Sequence, residues 1–162
     1  MVTRFFLTIL LLYYFNIPLY MKLILIAISD KVDCSHLSFP YRGPLLFKNT
    51  NICKTQYYQL YDKIVDTIVH FITLHYILTT NPFNKREQRI LVRLLFFRLI
   101  GVVGFIFSAN EKFLFYFPDY FREFTIFYAI TKHFKISKKY KDIVFYSIIF
   151  LKPVQEYLMH YK

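Results

Sequence analysis

The residues best suited to chemistry in this 162-residue chain are two carboxylates and an imidazole: Asp62, Asp66 and His70. Steps of four residues place them on one face of a helix; Thr73 extends the stripe and His75 lies nearly opposite. Carboxylate and imidazole at that spacing can share a proton or a metal ion. Further on, Arg93, Arg98 and Glu123 fall in or beside apolar runs. Inside a bilayer such groups need partners and mark functional sites. Arg93 is near the end of its run and can snorkel. Arg98 lies about 12 Å further along than Ile90, too deep for easy escape. Arg98 is therefore expected to pair with Glu123, with His70 at similar depth. The competing reading is structural: Asp62, Asp66, His70, Arg98 and Glu123 form a polar seam that holds helices in register.

Other chemistry is thinly represented. Cys34 and Cys53 share one polar stretch, Asp30 to Lys63, and in an oxidising lumen they could close a single disulfide. With His36 they offer three soft ligands where structural zinc takes four, so no metal site is expected. The chain has no Gly-rich phosphate loop, HExxH, GxSxG or CxxC motif, and no cofactor is expected.

The elements that must position these residues are helical. Arg4 precedes an apolar run, Phe5 to Tyr20, and a second run, Leu23 to Ser29, follows Lys22. A basic start and apolar centre make residues 1–29 a signal anchor or a cleaved signal peptide. Either puts residues 30–63 on the lumenal or extracellular side, as a loop rich in Pro, Gly, Ser and Asn. Residues 64–162 then form the bundle. Ile64 to Thr80 is the first helix, ended by the Asn81-Pro82 turn. Ile90 to Ser108 reaches about 28 Å, close to the ~30 Å hydrocarbon thickness. Its Gly101 and Gly104 allow another helix to approach closely. A further helix is expected from Pro118, with Asp119 at its positive end, to about Phe134. Phe113 to Phe117 would be an aromatic approach to it at the interface. Ile143 to Leu151 is apolar, with Lys152-Pro153 interrupting it.

Composition sets the class. The chain is 56 % hydrophobic and 22 % aromatic, with formal net charge +11 and mean hydropathy +0.35. The basic residues lie mainly between apolar runs, which suits anionic lipid head groups better than nucleic acid. The uncharged part of the Pro118 helix, Phe124 to Thr131, is too short to span by itself. Loop charge argues that it crosses nonetheless. If every helix crosses, "NKREQR" and "KHFKISKKYK" share a side with Arg4, and the cysteine stretch lies opposite. The expected fold is an all-α, multi-pass transmembrane bundle of four to five helices, in an endomembrane or the plasma membrane, with cytosolic basic loops. The expected partners are the lipid bilayer and either further copies or other membrane proteins, in a non-enzymatic, structural or assembly role. The alternatives are a proton- or ion-coupled transporter or intramembrane enzyme using Asp66 and His70, and a soluble helical binding module.

Overall fold

The computed structural model describes residues 2–38, 56–110 and 112–160, which hold helices and no strand. The chain divides into two compact units, Met1–Ile72 and Thr73–Lys162. The boundary falls inside a helix, not at the ends of the expected loop.

In the first unit, α1 (Val2–Ile9) runs into a π-helical turn, Leu10–Tyr14, and stops at Phe15, whose backbone is extended. Pro18 then sits at the head of α2 (Leu19–Ser38), where its carbonyl accepts from the Met21 and Lys22 amides. Proline suits that place because no helical donor is needed there. The two helices fold back against each other. The single signal-type segment expected over residues 1–29 is thus a hairpin. Its apolar parts, Arg4–Tyr14 and Leu19–Ser29, are each too short to cross a membrane. α2 also continues to Ser38, and α3 (Gln56–Thr80) begins ahead of Ile64, so both ends of the expected 30–63 loop are helical. Cys53 lies outside the described residues, as does the Cys34 side chain, and with them the disulfide.

In the second unit, α4 (Lys85–Ser108) starts earlier than Ile90 because a capping box opens it. The Asn84 side chain accepts from the Glu87 amide at 2.9 Å, and the Glu87 carboxylate accepts from the Asn84 amide at 3.0 Å. After Ala109, α5 (Lys112–Tyr116) folds back along α4. The two glycines make room for it. Cε1 and Cγ of the Phe113 ring lie 2.9 Å from where a Cβ on Gly104 would stand, and Cδ1 is closer still. At Gly101 the Phe113 carbonyl is 3.2 Å away and the Phe117 Cβ is closer still. The face expected to receive another helix is filled by the chain's own α5.

After a break at Phe117–Asp119, α6 (Tyr120–His133) continues along α4. The Phe97 ring sits 4.9 Å from Phe117 and 6.4 Å from Tyr120. At the far end Lys132 donates to the Pro82 carbonyl, so the α3–α4 turn and the basic α6–α7 connection lie together at one end of the unit. α7 (Lys138–His160) then runs back the length of α6 and α5. Phe124 meets Phe145 at 5.0 Å, and Phe115 meets Tyr157 at 6.0 Å. The unit is therefore traversed by α4, by the broken pair α5–α6, and by α7.

α4 carries two apolar stripes. Leu91, Leu95, Val102 and Phe105 are buried with Arg98 among them, while Phe96, Ile100, Val103 and Phe107 are exposed on another face. Among the described residues it is the one helix long and apolar enough to cross a membrane, and only 33 % of its apolar window is buried within the chain. The expected four to five such helices reduce to one by this measure, because breaks and charges divide the others.

Gly101→Ala should lower stability by about 1–3 kcal/mol, since the Phe117 Cβ is fixed to backbone and cannot yield. Gly104→Ala should cost less, because the Phe113 ring can rotate away. Ala109 ends α4 in the left-handed region at φ 54°, so Ala109→Gly should add roughly 1 kcal/mol. Thermal unfolding of the three variants in one detergent checks the order; equal losses at the two glycines would contradict the packing.

Candidate functional site

The two prolines in the helical part of the second unit each remove one N–H, and each leaves a carbonyl four residues earlier without its helical donor. Pro118 does this to Leu114 and Pro153 to Ile149. A buried acceptor left bare costs about 1–3 kcal/mol, and more in hydrocarbon. Both are answered by side chains. Arg98, buried on α4, donates from Nη1 to the Leu114 carbonyl at 3.3 Å and to the Phe117 carbonyl at 2.7 Å. The Tyr120 hydroxyl donates to the Ile149 carbonyl at 3.1 Å, and α7 passes through Pro153 without ending. Asp119 caps the other side of the first break, accepting from the Arg122 amide at 3.4 Å. In the first unit, buried Lys22 does the same work for the π-helical turn, donating to the Leu12 carbonyl at 2.9 Å.

The sequence expectation for Arg98 is corrected here. Among the described residues its guanidinium does not pair with Glu123. Pro118 supplies backbone acceptors within reach, and a cation at the carbonyl end of α5 is favoured by the helix dipole. Glu123 turns to α7 and accepts from the Lys152 ammonium at 3.1 Å. Gln155 also accepts from Lys152, at 3.4 Å. In sequence Lys152 reads only as an interruption of an apolar run. Its partner could have been sought by asking which acid lies on the neighbouring traverse. His70 falls in the first unit and Arg98 in the second.

Asp62 and Asp66 do come together, one turn apart on α3, with His70 buried on the next turn. Both carboxylates are engaged by bases. Arg4 Nη2 contacts Asp66, and Nη1 lies 3.8 Å from Asp62. Lys63 Nζ lies 2.9 Å from Asp62 and 3.6 Å from Asp66. Two acids thus face two bases, and the Arg4 side chain is only 3 % exposed. Arg4, expected at the opposite end of the first segment from the 30–63 stretch, thus lies beside Asp62 and Asp66. The contact is not legible from sequence, where Arg4 reads as the basic flank of a signal-type segment.

Exchanging charges tests these assignments. Arg98→Glu with Glu123→Arg should not recover the stability lost by either change alone. Glu123→Lys with Lys152→Glu should recover most of its loss. Tyr120→Phe should cost about 1–2 kcal/mol through the bare Ile149 carbonyl, read as a lowered melting temperature without change in helix content. Rescue by the Arg98/Glu123 exchange would refute the carbonyl assignment.

No protein-family model, curated protein or solved structure matches the chain.

Proposed function

We propose that the chain is a small multi-pass integral membrane protein with a structural or assembly role, held in the bilayer by its second unit. The observation that carries this is the outward stripe of α4. A helix that is apolar on every side belongs in a protein core or in lipid, and Phe96, Ile100, Val103 and Phe107 are exposed. Phe107 is 87 % exposed, which water would tolerate poorly in so continuous an apolar face.

The broken pair supplies a second crossing. α6 alone has 14 residues, about 21 Å of helix. Together, α5 and α6 return along the length of α4. Irregular backbone is tolerated at membrane depth where protein surrounds it and its polar groups are satisfied; Arg98 and Asp119 meet that condition at the break. α7 supplies a third crossing, its Lys152 neutralised by Glu123. The two basic connections at one end of the unit fit a cytosolic face for that end. The N-terminal hairpin enters and leaves on one side instead of acting as a signal anchor.

A transport or catalytic path through Asp62, Asp66 and His70 is the weaker reading, because Arg4 and Lys63 already compensate both carboxylates. An assembly role uses the outer stripe of α4 as its contact face, towards a second copy or another membrane protein.

The full chain should remain with membranes after alkaline carbonate extraction, and a cysteine near Lys139 should be labelled from the cytosolic side only. Val103→Lys should reduce insertion, by about 2.5–3.5 kcal/mol on the insertion scale for a central charge. A photoreactive residue at Ile100 should capture a protein partner or a second copy within the membrane. Release of the unmodified chain by carbonate would overturn the membrane reading, and capture of lipid alone would overturn the assembly role.

A further inference from the structure

The α6–α7 connection is electrostatically unfavourable as it stands. Residues 132–142 hold five lysines, Lys132, Lys135, Lys138, Lys139 and Lys141, against one acid, Asp142. Lys138 and Lys139 open α7, whose first turn has no acidic residue. Cations there oppose the positive end of the helix dipole. Lys135 is held in the left-handed region at φ 49°, a place that glycine would fill with less strain. Each of these features disfavours the isolated protein, and the two that come from charge are relieved by an anion.

Directly below this cluster is a cavity of about 240 Å³ between α6 and α7, with Lys141 and Tyr140 at one end. Its walls are apolar, chiefly Ile126, Ile130, Val144 and Ile148. It reaches Glu123, the level of the Lys152 pair. Along α7, Tyr140 to Ile148 is about 12 Å, close to the ~15 Å depth of one leaflet's hydrocarbon.

From this juxtaposition we propose that the α6–α7 groove is a binding site for one anionic phospholipid. Its acyl chain lies along Ile130, Val144 and Ile148, and its phosphate sits among Lys138, Lys141 and the first turn of α7. The assignment rests on the membrane reading above, which puts the lysines at the cytosolic head-group level, where anionic lipid is concentrated. The occupant is a lipid because the groove is apolar at depth, basic at its mouth and one leaflet long. A soluble phosphate would use only the mouth.

The chain has no tryptophan, so a single introduced one reports its own surroundings. Tyr140→Trp replaces one aromatic by another at the mouth of the groove, and Phe107→Trp reports the outer stripe of α4. Each full-length variant is reconstituted in phosphatidylcholine vesicles containing either phosphatidylglycerol or phosphatidylcholine brominated on the upper acyl chain. At position 140, quenching should favour the anionic lipid about fivefold for each lysine engaged. At position 107 the two lipids should quench alike. Lys138→Gln with Lys141→Gln should bring position 140 to parity while leaving position 107 unchanged.

Equal quenching at position 140 by both lipids, with position 107 quenched, would overturn the lipid site and leave the membrane reading standing. The same anionic preference at both positions would show general charge enrichment and would also overturn the site. A preference at 140 that survives the double lysine variant would overturn the placement of the phosphate. No quenching at either position by either lipid would overturn the membrane reading itself.

Discussion

The second unit depends on one guanidinium. Arg98 holds the carbonyls of Leu114 and Phe117, and without it the turn from α5 into α6 would leave buried acceptors bare. Everything nearby is arranged to bring the break to Arg98. Gly101 and Gly104 let α5 lie close against α4, and Phe97 stacks on Phe117 and Tyr120 from the same side. Asp119 then opens α6. A charge that looked like a liability in an apolar helix is the donor for a backbone that has lost one.

The same logic recurs wherever the helices are interrupted. Lys22 serves Leu12, Lys132 serves Pro82, and Tyr120 serves the carbonyl freed by Pro153. Four long polar side chains thus act on main-chain oxygen, where an ion pair would be the usual assumption for the three cations. Carboxylates are few, 10 against 21 lysines and arginines, so acids cannot match the bases one to one. Helix ends, with their unsatisfied carbonyls, are the remaining acceptors. The Arg4–Asp62–Lys63–Asp66 group and the Glu123–Lys152 pair use three of the ten acids.

Helix identity was legible in the sequence, because apolar runs bounded by Asn-Pro, Ala-Asn and lysine-rich stretches leave few alternatives. The end of α4 at Ser108 and the close of α6 near Phe134 followed from those boundaries. Helix starts were less legible. The capping box at Asn84 and Glu87 lies in a stretch that reads as a basic loop, and α2 runs on past Asp30 because nothing before Ser38 stops it. The partner of Arg98 was illegible for a different reason. Charge complementarity points to side chains, whereas the acceptor was set by a proline twenty residues on, Pro118, whose effect falls on a carbonyl that has no letter in the sequence. Asp62 and Asp66 were found by spacing, but their neutralisation by Arg4 requires the hairpin, which only the break before Pro18 creates.

Chain order gives the two proline breaks a further significance. Arg98 precedes Leu114 and Phe117, and Tyr120 precedes Ile149. In a polypeptide threaded from its N-terminus, each donor is in place before the interrupted segment emerges. The defect is met on arrival by a helix already seated. A permuted chain that delivered α7 or the α5–α6 pair first would leave those carbonyls bare until their donors arrived, even though its finished contacts were the same.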